Sequence, residues 1–65
     1  MNVPHGMNLR MARRLWRECG GTIEDKDGTG EEVFRHPRFD RPITVNKRRH
    51  DAPRKLTATL RYVAS

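Results

Sequence analysis

Glu31 and Glu32 stand side by side in a chain crowded with arginine, with Asp25 and Asp27 just before them and His36 a few residues after. Carboxylates near a histidine are the residue types of general acid–base catalysis, in which one group takes a proton and another gives it. The stretch that holds them, from Gly28 to Pro37, reads as a turn running into a strand. Alternation along that strand puts His36 on the same face as Glu32 and Phe34. A histidine gives and takes protons near neutral pH, whereas an exposed glutamate is an anion there and repels an anionic substrate. Only burial would make Glu31 a general base, and a second carboxylate next to it on an open strand gives no reason to expect burial. Asp27 and Glu31 flank the turn and read as turn chemistry rather than as a catalytic pair. His36, beside Pro37, reads as a strand-end surface histidine.

Other chemistries fail on spacing. His5, Cys19, His36 and His50 show no short-range ligand pairing of the Cys-x-x-Cys or His-x-x-x-His kind, so no metal site is expected. Gly28-Thr29-Gly30 lacks the Lys-Ser/Thr that completes a phosphate loop. Trp16 and Cys19 fall on an apolar helical stripe and read as core. No cofactor of any class is expected.

The charge balance points outward, to a partner. Fourteen Lys+Arg against eight Asp+Glu give a formal charge of +6, and most of the cations are arginine, the side chain that forks onto phosphates and stacks on bases. Nucleic acid is the first partner this implies; a solubilising surface or an acidic protein partner is the plainer alternative. The lone Cys19 excludes an internal disulfide and fits a reducing compartment. No apolar run approaches the roughly 20 residues of a membrane span, and nothing resembles a signal peptide. A cytoplasmic protein without a membrane partner is therefore expected.

The elements that must position these side chains fit one small domain. A chain of 65 residues buries only roughly 60% of the surface it exposes when unfolded, and 34% apolar residues imply a thin core. Residues 1–7 carry Pro4 and Gly6 without apolar period and read as a flexible N-terminal arm, leaving 8–65 as the domain. Asn8 is a plausible N-cap for a helix from about Leu9 to Cys19, with Met11, Ala12, Leu15, Trp16 and Cys19 inward and Gly20-Gly21 as the stop. Two strand-like runs, 22–26 and 31–36, flank Asp27-Gly28-Thr29-Gly30, a hairpin signal. Residues 37–41 read as a second turn and 42–46 as a third strand, with Pro42 marking an edge or entry position. A basic connection, 47–55, leads to a last helix that starts at Asp51 or Thr57 and turns Leu56, Leu60 and Val63 inward. The expectation is an α+β fold of order αβββα, a three-stranded antiparallel sheet with two helices on one face, like the double-stranded RNA-binding domain.

On that order sits a local likeness. Phe34-Arg35-His36-Pro37, Thr44-Val45 and Thr59-Leu60-Arg61, together with Gly20 at the end of the first helix, resemble the HicA (YcfA-like) family of small toxins. The likeness spans nearly the whole chain after residue 7. It implies an mRNA interferase that binds and cleaves RNA and is restrained by an antitoxin. The family's catalytic histidine falls on Glu31, the histidine after it on Glu32, and the preceding serine on Gly30. The position is present and its chemistry is replaced, so the resemblance implies a degenerate member without a catalytic residue. Ala58 stands where the family often has glycine, and the chain ends soon after Val63, earlier than most members.

In the RNA-binding fold the first helix, the first hairpin turn and the start of the last helix touch RNA. The counterparts here are Arg13 and Arg17 in a row with Arg10 and Arg14; the acidic turn; and Lys47, Arg48, Arg49, Arg54 and Lys55. The expected RNA-binding set is thus Arg13, Arg17, Lys47, Arg48, Arg49, Arg54 and Lys55. The leading reading is a catalytically inactive binder of structured RNA. The alternatives are a phage or mobile-element protein that occupies a host factor, and an active interferase with an atypical site using His36 or Glu31.

Overall fold

The computed structural model describes residues 6–26 and 28–65. Five elements follow in the order α1 (Leu9–Glu18), β1 (Thr22–Lys26), β2 (Glu31–His36), β3 (Phe39–Asn46) and α2 (Arg54–Ala64). The strands form one antiparallel sheet in the order β1-β2-β3. Phe34, Ile43 and Val45 are buried on the face that the helices cover, with α1 over β1 and α2 over β3. The αβββα expectation therefore holds.

Helix α1 begins and ends on local chemistry. Asn8 Oδ1 accepts from the Met11 N–H at 2.8 Å, satisfying one of the orphan donors of the first turn. At the other end Gly20 takes φ +93°, a conformation that glycine adopts without steric penalty. Its N–H reaches Arg17 O at 3.0 Å and the Gly21 N–H reaches Trp16 O at 2.9 Å, the paired bonds of a Schellman stop. Leu9, Ala12 and Trp16 form the buried stripe, with Leu15 and Cys19 half-buried beside it. Met11, expected inward, is 45% exposed, because it stands about 100° round the helix from Ala12.

Trp16 joins this helix to the sheet. It is 1% exposed, and its indole N–H lies 3.1 Å from Thr22 O and 3.0 Å from Arg35 O. Those two residues are register partners on β1 and β2, so one donor serves both strands. Phe34 and His36 meet the indole edge to face at 5.7 and 5.5 Å. Gly21 lies against the ring so closely that any Cβ there would overlap the indole.

Three further expectations need correction. Met7 is no part of a loose arm: it is 4% exposed in the core and its carbonyl accepts from Ala52 N–H at 3.0 Å. The rest of that arm, apart from Gly6, lies outside the described residues. The second turn is only Pro37-Arg38, and β3 begins at Phe39 rather than Pro42, because the His36↔Phe39 pair closes a tight hairpin. The register then shifts between Phe34 and His36, and Pro42, which has no N–H to give a ladder, stands in that irregular stretch on an edge strand. Finally, α2 starts at Arg54 with Pro53 as its N-cap and no side-chain cap. Asp51 is instead held in a bridge with Asn8.

The last helix is closed by a side chain from the hairpin. Arg38 Nη1 donates to Val63 O at 3.2 Å and to Ser65 O at 3.0 Å, a cation on the negative end of the helix dipole. Thr57 and Thr59 are buried in α2, and their hydroxyls donate to Arg54 O and Lys55 O at 3.0 and 2.9 Å. Gly21→Ala should test the close approach at Trp16: overpacking is expected to lower unfolding stability by about 1–3 kcal/mol. An unchanged urea midpoint would show that the indole has room to move.

Candidate nucleic-acid interface

A main-chain strap brings two basic segments together. Leu9 N–H donates to His50 O at 2.7 Å and Ala52 N–H to Met7 O at 3.0 Å. The start of α1 is thereby fastened antiparallel to the connection between β3 and α2 at the Asn8–Asp51 bridge. The connection itself is shaped by Asn46, whose Oδ1 accepts from Arg48 N–H at 2.9 Å and whose carbonyl accepts from Arg49 N–H at 3.2 Å. This is the turn that asparagine makes with the backbone two residues on. Lys47 N–H donates to Gly30 O at 3.0 Å, tying the same segment to the β1–β2 hairpin.

Between these segments lies a groove of about 420 Å³ lined by Asn8, Leu9, Arg10, Arg13, Lys47, Arg48, Arg49, His50 and Asp51. Four of the seven expected residues, Arg13, Lys47, Arg48 and Arg49, therefore come together. The other three do not line it. Arg17 is exposed in the last turn of α1. Arg54 and Lys55 are exposed in the first turn of α2, and Arg54 borders a separate hollow with Gly6, Ala52, Thr57, Ala58 and Arg61. Arg10 and His50 line the groove and lay outside the expected set. Arg10 had a signal in its spacing, one helical turn before Arg13; His50 had none, because only the strap places it.

The groove's cations are not equivalent. Both Nε and Nη2 of Arg13 reach Glu32 Oε1, at 2.8 and 2.7 Å, in a pair whose side chains are 27% and 14% exposed. Lys47 pairs with Asp25 nearer the solvent. Arg49 Nε donates to Asp51 O at 3.2 Å. Arg10 and Arg48 carry no ion pair to a described residue. Arg48 also borders a smaller hollow at the hairpin turn with Gly28, Thr29, Gly30 and Asn46.

Glu32 shares the helix-covered face with Phe34 and ties β2 to α1 through Arg13. Glu31 points to the other face by strand alternation, opposite Lys26 and Asn46. The pair cannot converge on one substrate atom. His36 is not a surface histidine as expected: it is 7% exposed. Its Nε2 donates to Cys19 O at 2.7 Å and its Nδ1 accepts from Arg38 N–H at 3.0 Å, so both ring nitrogens are used internally. Among the described residues no group of three His, Cys, Asp or Glu side chains could hold a metal ion, and no helix is long and apolar enough to cross a membrane.

No protein-family model, curated protein or solved structure matches the chain. His36→Ala is expected to destabilise the fold by about 1–3 kcal/mol, because it leaves the Cys19 carbonyl and the Arg38 N–H without their partner. Glu31→Ala should stay within roughly 0.5 kcal/mol of wild type. Thermal unfolding of both variants checks this, and equal melting temperatures would remove the structural role from His36.

Proposed function

We propose that this chain is a small HicA-like RNA-binding domain that has kept a phosphate-binding surface and lost catalysis. The observation that carries the reading is the groove: Arg10 and Arg13 from one helix face Lys47, Arg48 and Arg49 from a loop strapped against it. Phosphates contribute most of the affinity of sequence-independent nucleic-acid binding, and arginine in two facing rows suits a backbone better than a single acidic side chain. Arg54 and Lys55 extend the cations to the start of α2, whose first turn holds no acidic residue. Its amide groups there and the two side chains favour an anion together. The loss of catalysis is supported by Glu32 and His36, both engaged in holding the fold. A single cysteine suits a reducing compartment such as the cytoplasm.

A second reading, a protein-docking module, is favoured by one feature. Tyr62 is 55% exposed beside Phe39 and under the Arg38 guanidinium, and tyrosine with arginine is common at protein interfaces. A native gel with a labelled RNA hairpin separates the two. The RNA reading predicts a shifted, intact band that weakens steeply with salt. Replacing Arg48 and Arg49 by alanine should flatten the plot of log affinity against log salt by roughly 0.7–0.9 per lost phosphate contact. No shift at micromolar protein sinks the RNA reading, whereas an unchanged slope in the double variant moves the contact away from the groove.

A further inference from the structure

Asp25 and Glu32 lie directly opposite each other across β1 and β2, so the two carboxylates share one side of the sheet, an arrangement that is unfavourable for like charges. Each is answered by a cation of the groove, Asp25 by Lys47 and Glu32 by Arg13. Two of the five Lys and Arg side chains that line the groove are therefore already bound to anions of the chain itself. We infer that Asp25 and Glu32 act as internal competitors for the ligand's phosphates and so set which polyanions the groove accepts. The inference rests on the RNA reading and concerns the tuning of the same site.

The selectivity follows from exchange. A ligand gains Arg13 and Lys47 only by offering them a better partner than a carboxylate they already hold. An acidic peptide offers another carboxylate and gains nothing at those two positions. A phosphate backbone offers several charged oxygens in a row, and arginine pairs with phosphate in the same forked geometry that it uses for carboxylate. The two pairs should yield unequally. Lys47 and Asp25 are 35% and 60% exposed, against 27% and 14% for Arg13 and Glu32, so the outer pair exchanges first.

Salt dependence carries the signature. A phosphate that a groove cation neutralises releases a condensed counterion. The internal carboxylate competes most strongly at low salt and is screened as salt rises, so it reduces that cation's share of the slope. Without the carboxylate the slope steepens, by at most about 0.9 per cation on a duplex. Asp40 supplies the control. It is exposed near the opposite end of β3 from Lys47, and it has no ion pair to a described residue. Asp40→Asn changes the net charge by the same unit as Asp25→Asn or Glu32→Gln.

Wild type, D25N, E32Q and D40N are to be titrated with one labelled RNA hairpin across a salt series. D25N should bind roughly two- to fivefold tighter than D40N, the range set by exposed ion pairs; E32Q should also bind tighter than D40N, and both should show the steeper slope. D25N alters an exposed pair and keeps the test decisive if E32Q, with its more buried partner, fails to fold. If D25N matches D40N in both affinity and slope while wild type binds, the competition idea is overturned and the RNA reading stands. If wild type binds the hairpin at no salt concentration, both fall together.

Discussion

The structure depends on where the Trp16 indole is held. Its ring is enclosed by Phe34, His36 and Gly21, and its one N–H lies between carbonyls of β1 and β2. Two effects act at this residue, and their sizes differ. Burying a tryptophan removes roughly 150–250 Å² from water, which at about 25 cal/mol per Å² is about 4–6 kcal/mol as an upper bound. The hydrogen bond contributes net about 1 kcal/mol, so burial sets the magnitude and the N–H sets the orientation. A domain of this size has about 3–10 kcal/mol of total stability at ordinary values per residue. A single ring thus accounts for a share that the rest of a thin core could not replace.

The same packing fixes the basic end of the molecule. With Trp16 seated, α1 lies at a set distance from the sheet, and its first turns carry Arg10 and Arg13 toward the β3–α2 connection. The strap from Met7 and Leu9 to Ala52 and His50 then prevents those cations from separating. Like charges gathered this way repel, and the helix dipole at the start of α2 further disfavours Arg54 and Lys55 by about 0.3–1 kcal/mol each. Arrangements that oppose local stability concentrate where a ligand relieves them. Glu32 and Asp25 relieve part of the repulsion from the sheet side, which lets the groove persist in the absence of a ligand.

The order of elements was legible because each carries a local signal: Asn8 and Gly20 at the ends of α1, the Gly28 turn in the first hairpin, and Leu56, Leu60 and Val63 at helical spacing. What was hidden depended on contacts distant in sequence. Met7 looks like part of an arm until Ala52 is known to donate to its carbonyl. His36 looks like a surface residue until the end of α1, 17 residues earlier, is known to bring the Cys19 carbonyl to its ring. Pro42 marked an edge strand correctly, but the pattern could not show that pairing resumes on its other side at Phe39. For the groove, composition indicated arginine and spacing indicated the α1 face. Spacing therefore already pointed to Arg10, whereas only the strap brings in His50.

The placement of the acidic residues bears most directly on chemistry. General acid–base catalysis needs two titratable groups aimed at one atom, each with capacity left to exchange a proton. Glu32 has the right face, but both its near contacts come from Arg13, which holds it in a structural pair. His36 also has the right face, yet both ring nitrogens are engaged by the backbone. Glu31 has no such duty, and alternation turns it to the opposite side of the sheet. The residue types that suggest a reaction are thus divided between two faces, and those on the shared face are held by the fold. What converges in this part of the molecule is positive charge, from Arg10 and Arg13 on α1 and from Lys47, Arg48 and Arg49 on the connection strapped against it.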